Sequence, residues 1–145
     1  MNPQQIQLVQ SSFARLAPLQ EELAALFYAR LFELDPGLRA MFTGDLAGQR
    51  TKLMAAVRAV VAGLARPDAI KPALWELGRR HARYGVEVEH YVTVGEALFW
   101  SLEQALGDTF TLDTRRAWAA AFSLVAWTMI AAAEAELAEP DAEAA

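Results

Sequence analysis

His81 is the residue of this 145-residue chain whose type and position most clearly suggest chemistry. Leu74, Leu77 and His81 recur at spacings of three and four, which places them on one face of a helix. Since the chain has two histidines and no cysteine, a zinc site with several protein ligands is hard to assemble, whereas one imidazole can hold the iron of a haem. On this pattern alone a satisfied core histidine is favoured, and haem ligation is the hypothesis to weigh against it.

Other residue patterns give little support for catalysis. The absence of cysteine excludes disulfides, thiolate nucleophiles and iron–sulfur ligation. No glycine-rich phosphate loop, nucleophile elbow or His-Glu-x-x-His helix occurs. Three pairs of glutamates fall on charged faces or near helix ends, where a solvated surface explains them better than acid–base catalysis does. These pairs are Glu21-Glu22, Glu87 with Glu89, and Glu134 with Glu136.

Length and composition predict one globular domain with one substantial core. The chain is 54% hydrophobic with a net charge of -5, and its Lys and Arg residues are dispersed. We therefore do not expect it to bind nucleic acid. The amino terminus lacks a basic segment followed by an apolar run, and charged or polar residues interrupt every apolar stretch. We therefore expect no secretory signal, no membrane-spanning segment and a cytoplasmic location.

Helical periodicity recurs in every long segment, which predicts an all-α fold. The first helix should begin at Asn2-Pro3 and end at Pro18, and the second should end at Asp35-Pro36, before a short helical turn to Phe42. The sequence further predicts helix caps at Asp45 and Thr111, a helix stop at residues 66–68 and a helix end at Gly85. Two longer helices are expected, one on each side of residues 107–108. We expect a domain over residues 1–138 and a frayed acidic tail over residues 139–145.

The segment LGRRHARYGV at residues 77–86, followed by His90-Tyr91 and VGEAL at residues 94–98, resembles bacterial single-domain haem globins. Flavohaemoglobin haem domains and neuroglobin-like proteins share the pattern, and the resemblance covers roughly residues 5–135. It implies a globin fold, with helices packed on helices around a haem pocket and His81 as the proximal iron ligand. The pattern assigns no iron to His90, which we expect to be a surface or capping residue.

Tyr28 and Gln49 are the candidate contacts for a ligand on the other side of the haem. Gln49 precedes Leu53 by one helical turn and brings an amide into an apolar stripe, although an exposed helix start would explain it equally well. Tyr28 could instead be a core tyrosine bonded to a carbonyl. The resemblance implies that Tyr28 and Gln49 donate hydrogen bonds to dioxygen, with Leu53 above the iron, and that oxygen release is slow.

The resemblance also implies further haem contacts. Phe42 matches the aromatic residue that packs against the porphyrin, although generic core packing would explain it too. Apolar walls are expected from Val86, Val94 and Leu98. Propionate contacts are expected from Lys52 and Arg80, and potentially from Arg79 or Arg83, although surface cations satisfy the same sequence facts.

On the proximal side, flavohaemoglobins place a tyrosine and a glutamate beside the histidine. Tyr91 matches the tyrosine, but the glutamate position falls on Ala133, with Glu134 one residue away and about 100° around the helix. This network is expected to be incomplete, which weakens the case for peroxidase-like or dioxygenase specialisation. A one-residue shift of the last helix would restore Glu134.

The resemblance implies a haem b protein that binds dioxygen reversibly for storage, delivery or scavenging. Because no Cys-x-x-Cys-His motif is present, the haem should be held without covalent bonds. The enzyme alternative is nitric oxide dioxygenation, which would need a separate reductase. A gas sensor or a haem-free regulatory globin is the third alternative. The sequence favours a protein without a dedicated enzymatic activity.

Overall fold

The computed structural model describes residues 1–138, and these residues form α-helices and short 3-10 turns without a β-strand. The helices are α1 (Pro3–Arg15), α2 (Gln20–Leu34), α3 (Leu46–Gly63), α4 (Pro67–Arg83), α5 (Val88–Leu106) and α6 (Leu112–Ala138). Three 3-10 turns, Ala17–Leu19, Pro36–Met41 and Gly107–Thr109, lie between them. The all-α prediction is confirmed, whereas the predicted fraying of residues 139–145 lies outside the described residues.

Helix ends follow the local signals in the sequence. The side-chain oxygen of Asn2 accepts a hydrogen bond from the Gln5 backbone N–H, and the side-chain oxygen of Gln5 accepts one from the Asn2 backbone N–H. Asp45 caps α3 by accepting from the backbone amide two residues on, and Thr111 caps α6 through the amide of its third following residue. Gly85, just after α4, has a φ of 86°, which favours glycine. The predicted caps are confirmed.

Helix α6 is the centre of the packing, since it contacts α1, α4 and α5. The indole nitrogen of Trp118 donates to the buried hydroxyl of Ser12 on α1 at 2.8 Å. By length and composition α6 also meets the requirements of a membrane-spanning helix, with a mean hydropathy of 1.4 and 33% burial over its apolar stretch. Its buried face packs against the other helices, which accounts for part of this apolar composition.

Helix α4, which carries His81, lies directly against α6 because Gly78 has no side chain. A Cβ atom at Gly78 would lie 2.5 Å from the carbonyl oxygen of Met129 and 2.7 Å from its Cα atom. Gly78 is therefore the point at which the two backbones approach each other. This contact sets the distance between α4 and α6 one turn before His81.

The described core divides into three clusters, two of which contain the predicted site residues. One is built on α2, the turn after it and α5, and it includes Tyr28. Another is built on α4, α5 and α6, and it includes Leu74, Leu77 and Tyr91 around the His81 helix. The third joins α1, α2, α3, α5 and α6. The fold thus places the two groups of predicted site residues in separate apolar clusters.

Candidate functional site

His81 lies half-buried on α4, with its Nδ1 atom 2.9 Å from the carbonyl oxygen of Leu77. Because a carbonyl only accepts, Nδ1 carries the proton, and Nε2 keeps its lone pair. Burial is the main cause that lowers the pKa of His81, and the nearby Arg80 charge lowers it further, while the bond to Leu77 opposes both effects. A neutral imidazole with a fixed ring and a free Nε2 lone pair is the form that ligates a metal.

Tyr28 and Gln49 are brought together between α2 and α3. The hydroxyl of Tyr28 donates to the backbone carbonyl of Gln49 over 3.4 Å, so the alternative of a core tyrosine bonded to a carbonyl is realised in this structure. At 3.4 Å this bond is well beyond the usual 2.7–2.8 Å for hydroxyl donors. A better acceptor nearby would therefore compete for the hydroxyl at little cost.

Aromatic rings hold the ring of Tyr28 in place. Its centroid lies 5.1 Å from that of Phe27, 5.5 Å from that of Phe42 and 6.0 Å from that of Phe32. The contacts with Phe27 and Phe42 are edge-on, which is a favourable arrangement for aromatic pairs. Burial also raises the pKa of Tyr28, so its hydroxyl stays protonated as a hydrogen-bond donor at neutral pH.

The apolar residues predicted to line the haem pocket are half-buried. They are Phe42, Leu53, Val86, Val94 and Leu98. All except Val86 pack against the cluster that contains Tyr28, whereas Val86 packs in the cluster that contains Tyr91. Half-buried apolar walls on α3, α5 and the loop after α4 fit a flat apolar group such as haem, which would cover the surface they leave exposed.

Tyr91 contributes a buried hydroxyl that has no hydrogen-bond partner within residues 1–138. An orphaned hydroxyl is costly, and such groups concentrate at functional sites. Tyr91 lines a groove of about 370 Å³ between α5 and α6 that Glu134 also lines, but Glu134 is exposed and Ala133 is half-buried. Among the described residues, Tyr91 therefore has no bonded carboxylate, and its proximal role, like that of Glu134, stays a prediction.

Cations on α3 and α4 differ in their surroundings. Lys52 and Arg80 are exposed, so they remain the predicted propionate partners. Arg79 and Arg83 bind Glu136 of α6 instead. The sequence pattern favoured a solvated surface for Glu136, but its side chain is 12% exposed and pairs with both arginines.

His90 caps α5, as predicted. Its Nδ1 atom accepts a hydrogen bond from the Glu87 backbone amide at 2.8 Å. Within residues 1–138, no group of three or more His, Cys, Asp or Glu side chains is placed to hold a metal ion. Since the ring of His90 caps α5, His81 is the histidine of the described chain whose ring can serve as a metal ligand. The residues present fit a haem group.

Comparisons with known proteins identify the family to which the chain belongs. The family model described as Globin matches residues 25–129. A flavohemoprotein of Bacillus subtilis is 31% identical over 124 residues, covering 83% of this chain and 31% of that protein. A neuroglobin of Danio rerio is 30% identical over 136 residues, covering 84% of this chain and 86% of that protein. This chain thus spans about a third of the length of the flavohemoproteins it matches.

A solved structure has a similar fold. It is an engineered carbene transferase made from a protein assigned as a nitric oxide dioxygenase of Rhodothermus marinus. The TM-score is 0.84 at 28% identity, with 100% of this chain and 99% of that chain covered. The match extends over the whole helical arrangement.

Proposed function

This chain belongs to the globin family, which binds haem and diatomic gases, and we propose that it holds haem b through His81 and binds dioxygen reversibly. Its all-α architecture is the globin fold. The observation that carries the proposal is the 2.9 Å contact between His81 Nδ1 and the Leu77 carbonyl oxygen, which orients the ring and leaves Nε2 for a metal. When bound, haem would supply an iron atom able to take up diatomic gases, and His81 would hold that iron.

On the proximal side, the protein holds one ring in one orientation. The bond from Nδ1 to the Leu77 carbonyl fixes both the tautomer and the ring angle, so Nε2 needs no reorganisation to bind iron. Without a carboxylate on this nitrogen, the imidazole gains little anionic character. This favours reversible gas binding over chemistry that needs strong electron donation.

On the distal side, Tyr28 and Gln49 supply hydrogen-bond donors to the gas. The long bond from Tyr28 to the Gln49 carbonyl can be exchanged for a bond to dioxygen. Gln49 lies at the half-buried start of α3, one turn before Leu53, so its amide can move between solvent and the pocket. Apolar side chains including Leu53, Val94 and Leu98 exclude water from the same region and strengthen those bonds.

The experiment that tests the proposal is an optical titration of the purified chain with haem. We expect one haem per chain and a spectrum that changes reversibly as dioxygen is admitted and removed. Extraction with acidified organic solvent should release unmodified haem b, since the chain has no cysteine for covalent attachment. No uptake of haem, or a spectrum with two protein ligands that does not respond to gas, would refute the proposal.

Nitric oxide dioxygenation is the second candidate function. Similarity to flavohemoproteins and to a protein assigned as a nitric oxide dioxygenase supports it. This chain corresponds to about a third of the flavohemoproteins, and sustained turnover would need a source of electrons, such as a reductase, beyond these residues. Sustained consumption of nitric oxide by the oxygenated protein with a cellular reductase would favour the enzyme, whereas a single stoichiometric turnover would favour storage, delivery or scavenging.

A further inference from the structure

Helices α4 and α6 are joined by a forked ion pair. Arg79 Nε donates to one carboxylate oxygen of Glu136 at 2.7 Å, and Arg83 Nε donates to the other at 2.9 Å. The Glu136 side chain is 12% exposed, compared with 31% for Arg79 and 47% for Arg83. Charge-assisted bonds of this length are stronger than those between neutral groups. The two guanidinium groups also lower the pKa of Glu136.

The fork brackets the predicted iron ligand. Arg79 precedes His81 by two residues and Arg83 follows it by two, which places each about 200° around the helix from His81. Glu136 therefore holds α4 from the side away from the His81 ring. Together with the close contact between Gly78 and Met129, the fork fixes the last turns of α4 to α6 at two points.

The position of α4 matters because no carboxylate acts on His81 itself among the described residues. The Nδ1 atom is bonded to the Leu77 carbonyl, which belongs to α4. Ring orientation and ring position are thus both set by this helix. A displacement of α4 relative to α6 would move His81 together with its helix. The strain on a bond between His81 and a metal would change as a result.

We propose that Glu136 is a positioning residue for His81, acting through Arg79 and Arg83 rather than through the imidazole. The inference rests on the proposed haem ligation by His81. In this proposal, the carboxylate of Glu136 affects the position of His81 through the contact between α4 and α6. The family's glutamate position, which falls on Ala133, has no part in it.

The test compares Glu136→Gln with Glu103→Gln, each loaded with one haem. Glu103 on α5 pairs with Arg115 on α6 at 3.8 Å, so its removal takes away an interhelical ion pair remote from α4. We expect Glu136→Gln to lose haem to an excess of a scavenger apoglobin about three- to tenfold faster, given the ordinary strength of two partly exposed ion pairs. The iron–histidine stretching band of its ferrous gas-free form should shift or broaden, while Glu103→Gln should match the wild type.

A readout without haem separates this proposal from the proposed function. In the haem-free protein, amide hydrogen exchange over residues 76–86 should be faster in Glu136→Gln than in Glu103→Gln. If Glu136→Gln does not fold, Arg83→Gln removes one arm of the fork and should give a smaller change in the same direction. Failure of the wild type to bind haem would refute the proposed function alone. A normal stretching band, haem-loss rate and exchange in Glu136→Gln would overturn the positioning role.

Discussion

At the scale of single residues, the hydrogen bonds of the two tyrosine hydroxyls in the candidate site are long or missing. The hydroxyl of Tyr28 makes a 3.4 Å bond to the Gln49 carbonyl, and the hydroxyl of Tyr91 makes none in the structure. His81 makes one good bond, at 2.9 Å, to its own helix. The proposed distal donor Tyr28 can thus be redirected toward a ligand, whereas His81 is already held by its own helix.

Replacing the distal donors should accelerate release of dioxygen. We expect Tyr28→Phe and Gln49→Ala each to lose a hydrogen bond worth roughly 1.5–3 kcal/mol, or about one to two decades in dissociation rate. Stopped-flow mixing of the oxygenated protein with an oxygen scavenger measures this rate. Tyr84→Phe is the matched control, because Tyr84 is 71% exposed. Unchanged rates in both distal variants would show that the pair does not contact the gas.

Removing the Tyr91 hydroxyl should leave the haem-free protein as stable as before or more stable. The hydroxyl is buried without a partner, so Tyr91→Phe removes an unpaired polar group whose burial costs about 1–3 kcal/mol. Urea unfolding of the haem-free protein measures the effect. A loss of more than about 1 kcal/mol would mean that this hydroxyl is bonded in solution.

At the scale of elements, the contact between α4 and α6 positions His81, the proposed iron ligand. Gly78 lets the backbones approach, and Glu136 joins the same two helices through Arg79 and Arg83. Glycine within a helix costs about 1 kcal/mol relative to alanine. Its presence one turn before His81 is explained by the close approach of Met129.

Substituting Gly78 should therefore destabilise the protein despite the better helix propensity of alanine. A Cβ atom would lie 2.5 Å from the Met129 carbonyl oxygen, so Gly78→Ala should push α4 from α6 and cost about 1–3 kcal/mol. Gly48→Ala on α3 is the control, since a Cβ there meets nothing within 4 Å, and it should stabilise by up to about 1 kcal/mol. Urea unfolding distinguishes the two, and equal effects would show that α4 and α6 are not in tight contact.

The fork should also make part of the stability depend on pH. The pKa of Glu136 is lowered from 4.5 by bonds to Arg79 and Arg83. A lowered pKa in the folded state means that the stabilisation is present above the unfolded pKa and is lost as pH falls through the folded one. The difference in unfolding free energy between the haem-free wild type and Glu136→Gln should be constant above about pH 6 and narrow below about pH 4.5. A difference that does not narrow would show that Glu136 is not paired.

At the scale of the whole molecule, the sequence was sufficient for the elements and only partly sufficient for the site. Caps and stops such as Asn2, Asp45 and Gly85 act on neighbouring residues, so the local sequence predicts these helix ends. The Tyr28–Gln49 bond and the Glu136 fork depend on how separate helices are placed. That placement results from long-range packing, which residue spacing along one helix does not encode.

We propose above all that this globin chain binds haem through His81. Haem titration of the wild type, His81→Ala and His90→Ala, followed by the visible spectrum, tests it most directly. His90 is the matched control because its ring caps α5 through the Glu87 amide. We predict one tightly bound haem and a reversible response to dioxygen in the wild type and in His90→Ala, and loss of stable ligation in His81→Ala. Wild-type haem binding in His81→Ala would contradict the account.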